Sequence, residues 1–275
     1  MIDARRDAFL KLIGSKPVIM GVLNVTPDSF SDGGRFQSLD AALTQARKLV
    51  VDGADIIDIG AESTRPGSTP VPLEEEWRRL EPLLAPLLKE VDAPFSIDTY
   101  KAEIARRAVA LGVCVVNDVW GLQKDPAMAD TVAESGAAVV IMHNCESIDP
   151  DLDIEADLKR FFARSLKLAD RAGVARTRVL LDPGIGFGKT KAQNLRALAL
   201  TGALRAAFGL PILVGVSRKR LMSEPSGAAS VDEQVIGTVA ANLAALARGA
   251  AVFRVHDAAA HAAAFKVWEA IERAG

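Results

Sequence analysis

Chemically active side chains stand at or directly after most of the short apolar runs of this sequence. Carboxylates, amides and cations in such places cannot all be buried without partners, because each would then cost several kcal/mol. They must therefore bind one another or a ligand. The residues concerned are Asn24, Asp98, Asn117, Asp118, Asp182, Ser217, Arg218, Lys219, Arg254 and His256.

The acidic and amide members of this set suit a flat heterocycle. Asp98, Asn117 and Asp182 offer several donors and acceptors, and one aspartate can accept from an amino group and an adjacent ring N–H together. Asn24 is expected to lie nearby. A single aspartate after a strand is more often a helix cap or a loop ligand, so the prediction depends on the whole set. Asp58, within IIDIG, is interpreted as a partner of buried backbone or of an adjacent strand and is left outside the predicted site.

The cationic members suit a phosphate. Lys219, Arg254 and His256 are predicted to form a positively charged patch opposite the carboxylates, of the kind that binds a phosphate or diphosphate. Residues two apart in a strand point to the same face, so Arg254 and His256 are expected to aim together. The alternative is that they are only the exposed end of a strand.

The glycine-rich segment DPGIGFGKT, from Asp182 to Thr190, resembles a phosphate loop but does not match one. Pro183 occupies the position where a P-loop requires glycine, and the spacing from Gly184 to Gly188 is one residue too short. The small residues are therefore interpreted as admitting a flat ligand close to the backbone, with Phe187 as a wall.

The elements that must position these residues alternate between strand and helix. Near-continuous apolar runs are typical of strands buried on both faces of a parallel sheet. Eight strand–helix units in 275 residues average about 34 residues each, which predicts an α/β fold, a (β/α)8 TIM barrel, as a single domain over 1–275 with an N-terminal extension at 1–16. A doubly wound open sheet is the alternative. The predicted strands are Val18–Leu23, Asp55–Ile59, Pro94–Ile97, Val113–Val116, Ala138–Met142, Arg178–Leu181, Pro211–Val214 and Ala251–Val255.

The loops that follow the strands of such a barrel meet above one rim, so the chemically active residues are expected there. Two turn-rich segments, NVTPDSFSDGG from Asn24 to Gly34 and ESTRPG from Glu62 to Gly67, are long for such loops and are predicted to be lids, or else plain surface loops. Helical periodicity is clear from Leu73 to Leu84, where Pro82 and Pro86 are expected to bend or end the helix.

Composition excludes several classes of protein. Apolar residues make up 49% and charged residues 25%, which is ordinary for a globular protein with a buried core. With 33 Lys plus Arg against 35 Asp plus Glu, the net charge of -2 provides no bulk positive field, so no nucleic-acid or membrane partner is predicted. Aromatic residues, at 5%, leave few stacking platforms for single-stranded nucleic acid.

The sequence favours a cytoplasmic protein. Its longest uncharged run, from Gln234 to Ala247, is shorter than the about 20 residues that cross a bilayer. Asp3, Arg5, Arg6 and Asp7 precede the first apolar residues, and the N-terminus shows no apolar h-region, so a secretory signal is not expected. Cys114 and Cys145 lack paired spacing and are predicted to be reduced core thiols rather than part of a disulfide or zinc framework.

A set of segments together resembles the dihydropteroate synthase family. They are NVTPDSFSDGG after the first strand, IIDIGAESTRPG from Ile56, SIDT from Ser96, VND from Val116, LLDPGIGFGK from Leu180, GVSRK from Gly215 and FRVHD from Phe253. They cover nearly the whole chain in the family's order. The resemblance implies an enzyme of folate biosynthesis that condenses 6-hydroxymethyl-7,8-dihydropterin diphosphate with 4-aminobenzoate, giving dihydropteroate and diphosphate. It also implies Mg²⁺ as cofactor, inhibition by sulfonamides and a homodimer formed through the outer helices.

By motif position, the resemblance also assigns roles to individual residues. Those implied to hold the pterin are Asp98, Asn117, Asp182 and Lys219. The diphosphate would be held by Arg254 and His256, and by Asn24 through a bound metal ion. The residues implied to carry catalysis are Asp98, Lys219, Arg254 and His256, and those implied to enclose the aminobenzoate are Phe30, Thr64, Arg65 and Phe187.

The chain departs from the family in two places. Arg220 stands where the family commonly has a serine that contacts the aminobenzoate carboxylate. Either Arg220 pairs with that carboxylate more strongly, or it points to solvent and backbone donors provide the recognition; sulfonamide sensitivity depends on which holds. The segment MHNCESIDP from Met142 also differs from the family's Met-His-Met-rich pattern, and its role is open.

Two other functions are considered. A pterin-binding barrel that transfers a methyl group from methyltetrahydrofolate to a corrinoid protein would share the carboxylates and amides, but would have no use for cations around a diphosphate. A catalytically silent paralogue that binds pterin or a partner protein is favoured only by Arg220 and the altered segment after the fifth strand. Diphosphate release from the two substrates would discriminate all three.

Overall fold

The computed structural model describes residues 2–25, 35–62, 69–219 and 230–274, without the side chains of 35–38 and 231–232. The described residues form eight parallel strands, which are β1 (Val18–Asn24), β2 (Ile56–Gly60), β3 (Phe95–Asp98), β4 (Val115–Asp118), β5 (Ala138–Met142), β6 (Val179–Asp182), β7 (Ile212–Val214) and β8 (Ala250–Val255). Each strand pairs with the next, and β8 pairs with β1, so the sheet closes into a barrel. The predicted (β/α)8 barrel is confirmed, each predicted strand overlaps an observed one, and the open-sheet alternative is wrong.

Helices surround the barrel and return the chain from one strand to the next. No helix in the described part of the chain has the length and apolar character needed to span a membrane. The helices are α1 (Ile2–Leu12), α2 (Arg35–Val51), α3 (Leu73–Glu90), α4 (Ala102–Leu111), α5 (Met128–Ser135), α6 (Ile154–Ala172), α7 (Lys191–Ala199), α8 (Thr201–Phe208), α9 (Val231–Leu246) and α10 (Ala258–Glu272).

Helix α3 continues through both of its prolines, so of the two alternatives expected for Pro82 and Pro86, a bend or an end of the helix, the end is wrong. Each proline removes one N–H from the helix ladder, which weakens the helix locally. The apolar face of α3 offsets this cost, because Leu80, Leu84 and Leu87 are fully buried against the barrel core. Tertiary packing therefore decides the length of this helix.

Two apolar cores hold the barrel together. The outer core lies between the strands and the helices. The inner core fills the barrel and includes Val115, Val140 and Leu180. Phe9 of α1 packs with the inner core, and Arg6 of α1 donates to the carbonyl of Gly136 just before β5. The residues predicted to be an N-terminal extension thus close the amino-terminal end of the barrel.

The inner surface of the barrel is apolar along most of the strands and becomes polar at their carboxyl ends. Residues two apart on a strand point to the same side, so each inner-core residue predicts the direction of the residue two positions later. The inner-core residues Ile56, Val115, Leu180 and Val252 are followed in this way by Asp58, Asn117, Asp182 and Arg254. The fold therefore brings polar groups from separate strands to one end of the barrel interior.

Candidate active site

A partly buried guanidinium joins two carboxylates at this end of the barrel. Arg254, on β8, donates from Nε to Asp58 Oδ2 at 2.6 Å and from Nη2 to Asp98 Oδ2 at 2.7 Å. Asp58 lies on β2 and Asp98 ends β3. Asp58 is fully buried and Asp98 is nearly so. The prediction that the cations stand opposite the carboxylates is therefore wrong for Arg254, because buried carboxylates need a counter-charge within the protein itself.

Asn117 completes this cluster. It is paired in register with Asp98 and donates from Nδ2 to Asp58 Oδ2 at 3.1 Å, so Asn117 and Arg254 share one acceptor atom. Asp58 Oδ1, Asp98 Oδ1 and Asn117 Oδ1 are buried and have no hydrogen-bond partner among the described residues. Because unpartnered buried acceptors are costly, the cluster suits a ligand that brings N–H donors.

Burial and charge together set the protonation of the cluster. Burial raises the pKa of Asp98 to about 7; the charge of Arg254 opposes this effect and that of Asp58 adds to it. Burial acts to lower the pKa of Arg254, but Asp58 and Asp98 outweigh it and hold this pKa above its usual range. Near neutral pH, Arg254 is therefore charged, while Asp98 changes its charge.

Asp182 lies beside Arg254. A Cβ at Gly215, directly after β7, would be 3.8 Å from Arg254 Cβ and 3.9 Å from Asp182 Oδ2. Asp182 Oδ1 accepts from the backbone N–H of Gly184 at 2.7 Å. Burial raises the pKa of the Asp182 carboxyl, against the opposing effects of the Gly184 N–H and the charge of Lys219. The carboxylates of β2 and β3 thus pair with the Arg254 guanidinium, and that of β6 lies near the stem of the same side chain.

Lys189 holds the loop after β6 in position. This lysine is buried, and its Nζ donates to the carbonyls of Gly184 at 2.8 Å, Phe187 at 3.0 Å and His143 at 3.5 Å. An ammonium has three N–H donors, so all of them are used. Gly184 has a φ of 63°, and a Cβ there would overlap the carbonyl oxygen of His143. Only glycine allows this approach, which sets the position of the Asp182 loop.

Lys219 and Phe187 form one unit beside Asp182. Lys219 Nζ donates to the carbonyl of Ile185 and lies 4.7 Å from the centroid of the Phe187 ring. Burial lowers the pKa of Lys219 to about 7, while the charge of Asp182 opposes the shift. The lysine therefore titrates in the same pH range as Asp98. Phe187 is half-buried against this ammonium, a favourable cation–π contact.

His256 follows β8 and is held by a residue that follows β7. Ser217 Oγ lies 3.0 Å from His256 Nδ1 and accepts from the His256 backbone N–H at 3.1 Å. The next residue, Arg218, has a left-handed backbone with a φ of 55° and donates to Asp257 at 2.6 and 3.0 Å. This turn leaves Arg218 exposed at the surface, whereas Lys219 reaches the loop after β6.

Asn24 and Asp118 differ from the buried cluster in their surroundings. Asn24 ends β1, pairs in register with Gly60 and has an exposed side chain. Asp118 accepts from the backbone N–H groups of Trp120 at 2.8 Å and Leu122 at 2.6 Å. Asp118 is therefore a loop ligand, in line with the ordinary role of a lone aspartate after a strand.

Glu62, the first residue of the second predicted lid, is held in place by Lys101. Lys101 Nζ contacts Glu62 and lies 2.5 Å from Glu76 Oε2, and Thr99 Oγ1 donates to Glu76 Oε1 at 3.0 Å. Glu62 is thereby tied to the residues that follow Asp98. The predicted aminobenzoate residues Phe30, Thr64, Arg65 and Arg220 lie outside the described residues, as do the greater parts of both predicted lids.

The predicted site did not include Asp58 or Lys189, and one cysteine was wrongly expected to lie in the core. The available signal for Asp58 was its position two residues after Ile56, a residue of the inner core. Both cysteines are free. The prediction of a core thiol is confirmed for Cys114 and wrong for Cys145, which is half-buried outside the apolar cores because it lies in the loop after β5.

Comparison with known proteins agrees with this geometry. A family model described as pterin binding enzyme matches residues 20–256. The chain is similar to the dihydropteroate synthase of Bacillus subtilis, with 41% identity over 260 residues that cover 94% of this chain and 90% of that protein. It is also similar to the solved structure of Xanthomonas albilineans dihydropteroate synthase with 4-aminobenzoic acid, with 44% identity, a TM-score of 0.88 and coverage of 94% and 93% of the two chains. The Xanthomonas enzyme in complex with 7,8-dihydropteroate gives 42% identity, a TM-score of 0.85 and coverage of 94% of both chains.

Proposed function

The chain belongs to the dihydropteroate synthase family of pterin-binding enzymes, and from that premise we propose that it is a transferase that joins 4-aminobenzoate to 6-hydroxymethyl-7,8-dihydropterin diphosphate and releases diphosphate. One observation carries the proposal: buried acceptors suited to a heterocycle lie beside the Arg254 guanidinium, which suits a phosphorylated tail. The Xanthomonas structures with 4-aminobenzoic acid and 7,8-dihydropteroate support the choice of substrate and product.

The pterin would bind against Asp98, Asn117 and Asp182. A pterin carries an amino group next to a ring N–H, and together these donate to a carboxylate in a bidentate manner. Asp98 Oδ1 and Asn117 Oδ1 are buried acceptors that such donors would satisfy. Lys219 would add a donor for an acceptor atom of the ring. Binding would thus remove the cost of the unpartnered acceptors, which favours this ligand over one without N–H groups.

The diphosphate would be held by Arg254, Lys219 and His256. Phosphate oxygens accept two parallel hydrogen bonds from a guanidinium, so Arg254 would exchange carboxylate partners for phosphate oxygens. Mg²⁺ binds oxygen ligands, keeps several waters and commonly bridges substrate phosphates. The exposed amide oxygen of Asn24 fits as one ligand of this kind, and the ion would neutralise charge on the leaving group.

The reaction then requires no covalent bond to the protein. The C–O bond between the exocyclic CH₂ and the diphosphate breaks, and its electron pair leaves with the diphosphate. The carbon becomes a cation delocalised into the pterin ring, which the charge of Asp98 stabilises, while Arg254 and Lys219 stabilise the departing oxygens. The amine of aminobenzoate forms the new C–N bond and loses its proton to solvent. No activated Ser or Cys nucleophile is needed.

A coupled assay of diphosphate and dihydropteroate tests this function. We expect both products to appear in equal amounts when the pterin diphosphate, 4-aminobenzoate and Mg²⁺ are present. Chelation of the metal should lower the rate on the order of 100-fold, since leaving-group charge is then less well neutralised, and added Mg²⁺ should restore it. Tight pterin binding without either product would contradict the proposal, and a rate insensitive to chelation would contradict the role of the metal.

The pH dependence of kcat/KM should be bell-shaped, with its maximum near pH 7. The proposed active form needs a charged Asp98, which is lost as pH falls through about 7, and a charged Lys219, which is lost as pH rises through about 7. In Lys219→Arg the charge persists at high pH, so we expect the alkaline limb to move above about pH 9, whatever the change in maximal rate. The control Lys89→Arg alters an exposed lysine on α3 and should leave the profile unchanged. An alkaline limb that stays in place in Lys219→Arg would count against this role.

Three further properties belong to the proposal. A homodimer is supported by exposed apolar side chains on the late helices, namely Ile236 on α9 and Val267 and Ile271 on α10. Inhibition by sulfonamides would follow from their likeness to aminobenzoate, and the sensitivity would depend on whether Arg220 pairs with the aminobenzoate carboxylate or points to solvent. A cytoplasmic location, as expected from the sequence, is part of the same proposal.

A further inference from the structure

A histidine, a cysteine and an aspartate meet behind the loop after β6, and we name them the His–Cys–Asp cluster. His143 and Cys145 follow β5, and Asp157 lies in the first turn of α6. Among the residues that the structure describes, these are the ones whose His, Cys and carboxylate ligand atoms gather in a group of three. The proposed catalytic steps do not use them.

The three ligand atoms are mutually close. His143 Nε2 lies 2.9 Å from Asp157 Oδ2, Cys145 Sγ lies 3.7 Å from the same oxygen, and Sγ lies 4.0 Å from His143 Nε2. Around a tetrahedral zinc ion, with bonds of about 2.0–2.3 Å, such atoms would be about 3.4–3.6 Å apart. Each observed separation is within about 0.5 Å of that range, so small side-chain rotations suffice.

The neighbouring cations leave these three atoms available. Arg160 contacts Asp157 through Oδ1, whereas Oδ2 is the oxygen directed at His143 and Cys145. Lys189, although close, gives its three N–H groups to backbone carbonyls. His143 is fully buried, while Cys145 is half-buried, which provides access from solvent.

We propose that the His–Cys–Asp cluster binds a divalent transition-metal ion, Zn²⁺ in type, through His143 Nε2, Cys145 Sγ and Asp157 Oδ2, with a fourth position open to water. The mixed nitrogen, sulfur and oxygen donor set selects Zn²⁺ or Co²⁺ over Mg²⁺, which prefers oxygen alone. Binding converts the Cys145 thiol to a metal-bound thiolate, and the displaced proton goes to the buffer. The proton that His143 Nε2 shares with Asp157 Oδ2 moves to Nδ1, which leaves the Nε2 lone pair free to bind the ion.

This site is separate from the proposed Mg²⁺ position at Asn24 but is packed against the loop after β6. A Cβ at Gly188 would overlap the carbonyl oxygen of Cys145, and one at Gly184 would overlap that of His143. The segment that carries two of the three ligands therefore supports the loop from Asp182 to Lys189. Metal binding should stiffen this contact without supplying a group to the reaction.

Cobalt spectroscopy of the chelator-treated, otherwise intact protein tests the site. Co²⁺ added in the presence of excess Mg²⁺ and without substrates should bind once per chain, giving a thiolate-to-cobalt charge-transfer band and intense tetrahedral d–d bands. Excess Zn²⁺ should displace it and remove the bands. In Cys145→Ser the charge-transfer band should vanish, and affinity should fall by more than the about 10- to 100-fold cost of losing an outer-shell partner. Asp157→Asn should weaken binding yet keep the band.

The matched control is Cys114→Ala, which removes the other thiol, buried in the inner core. It should keep both bands and the affinity of the parent protein. The proposal is overturned if the parent protein shows no thiolate band at saturating Co²⁺, or if the band persists in Cys145→Ser. Circular dichroism of each variant separates loss of metal binding from loss of folding.

Discussion

Replacing Asp98 by Asn should lower kcat/KM for the pterin diphosphate on the order of 100- to 1000-fold. The substitution keeps an oxygen that can accept from Arg254, so the side-chain geometry is retained. It removes the negative charge that would both bind the pterin amino group and stabilise the cationic carbon, and a single preorganised group of this kind is worth about 10²–10³ in rate. Initial rates of diphosphate release at saturating aminobenzoate measure the effect.

The same substitution should not weaken the fold. Burial holds the pKa of Asp98 near 7, well above its ordinary value, so the charged carboxylate at pH 8 opposes folding and Asn removes that opposition. We expect the thermal midpoint at pH 8 to be at least as high as that of the parent protein. Asp92→Asn, an exposed position just before β3, should change neither rate nor midpoint. Full turnover by Asp98→Asn would refute the role given to this residue.

Replacing Arg254 by Met should have the largest effect on stability. The change leaves Asp58 and Asp98 buried without their shared counter-ion, and removal of one partner from a buried ion pair costs about 3–5 kcal/mol. Diphosphate binding should be lost as well. The free energy of unfolding is measured by urea denaturation without substrates.

The cost of this substitution should depend on pH, with a definite sign. Arg254 lowers the pKa of Asp98, so its removal raises that pKa further above the unfolded value. A group with a raised folded pKa loses its stabilising contribution as pH rises through that pKa. The variant should therefore lie closer to the parent protein at about pH 5, where Asp98 is protonated, than at about pH 8.

Two companion variants make this prediction specific. Adding Asp58→Asn to Arg254→Met should recover part of the lost stability, because one of the two uncompensated carboxylates is then gone. Arg78→Met removes an exposed arginine that pairs with Glu75 on α3 and should leave the free energy of unfolding nearly unchanged, because solvent screens this pair. Equal destabilisation by Arg254→Met at both pH values would show that lost packing, rather than charge, explains its effect.

The barrel could be predicted because its signals are local. Runs such as Val18–Leu23 and Ala138–Met142 are apolar throughout, and the closing of a parallel sheet buries both faces. The polar residues at the carboxyl ends of these runs were equally visible, since they interrupt the apolar pattern. Helix α3 was less predictable, because the packing of Leu84 and Leu87 outweighs two prolines and acts only in the folded state.

Pairing across the barrel could not be predicted from the sequence. Arg254 and Asp58 are 196 positions apart, and nothing in either segment specifies that they meet. It was also ambiguous whether Asp58 of IIDIG points into the barrel or towards the helices. The strand is apolar on both faces, and its inner side is defined only by the closed barrel. The expectation of cations on one side and carboxylates on the other ignored the need of buried carboxylates for a counter-charge.

The His–Cys–Asp cluster shows the same limit. Cys145 and His143 are close in sequence, but Asp157 reaches them only because α6 packs its first turn against the loop after β5. Spacing rules for metal sites recognise cysteines and histidines in regular motifs and give no weight to a lone cysteine whose third partner is an aspartate. Only the folded arrangement identifies the group.

The double engagement of Arg254 has a consequence for the end of the catalytic cycle. Any inorganic product held by this guanidinium competes with Asp58 and Asp98, which regain their partner when the product departs. The carboxylates of Asp58 and Asp98 would thus compete with the released diphosphate for Arg254. Spent diphosphate should be discharged readily, and inhibition by accumulated product should be weak compared with a pocket whose arginine has no anionic neighbours.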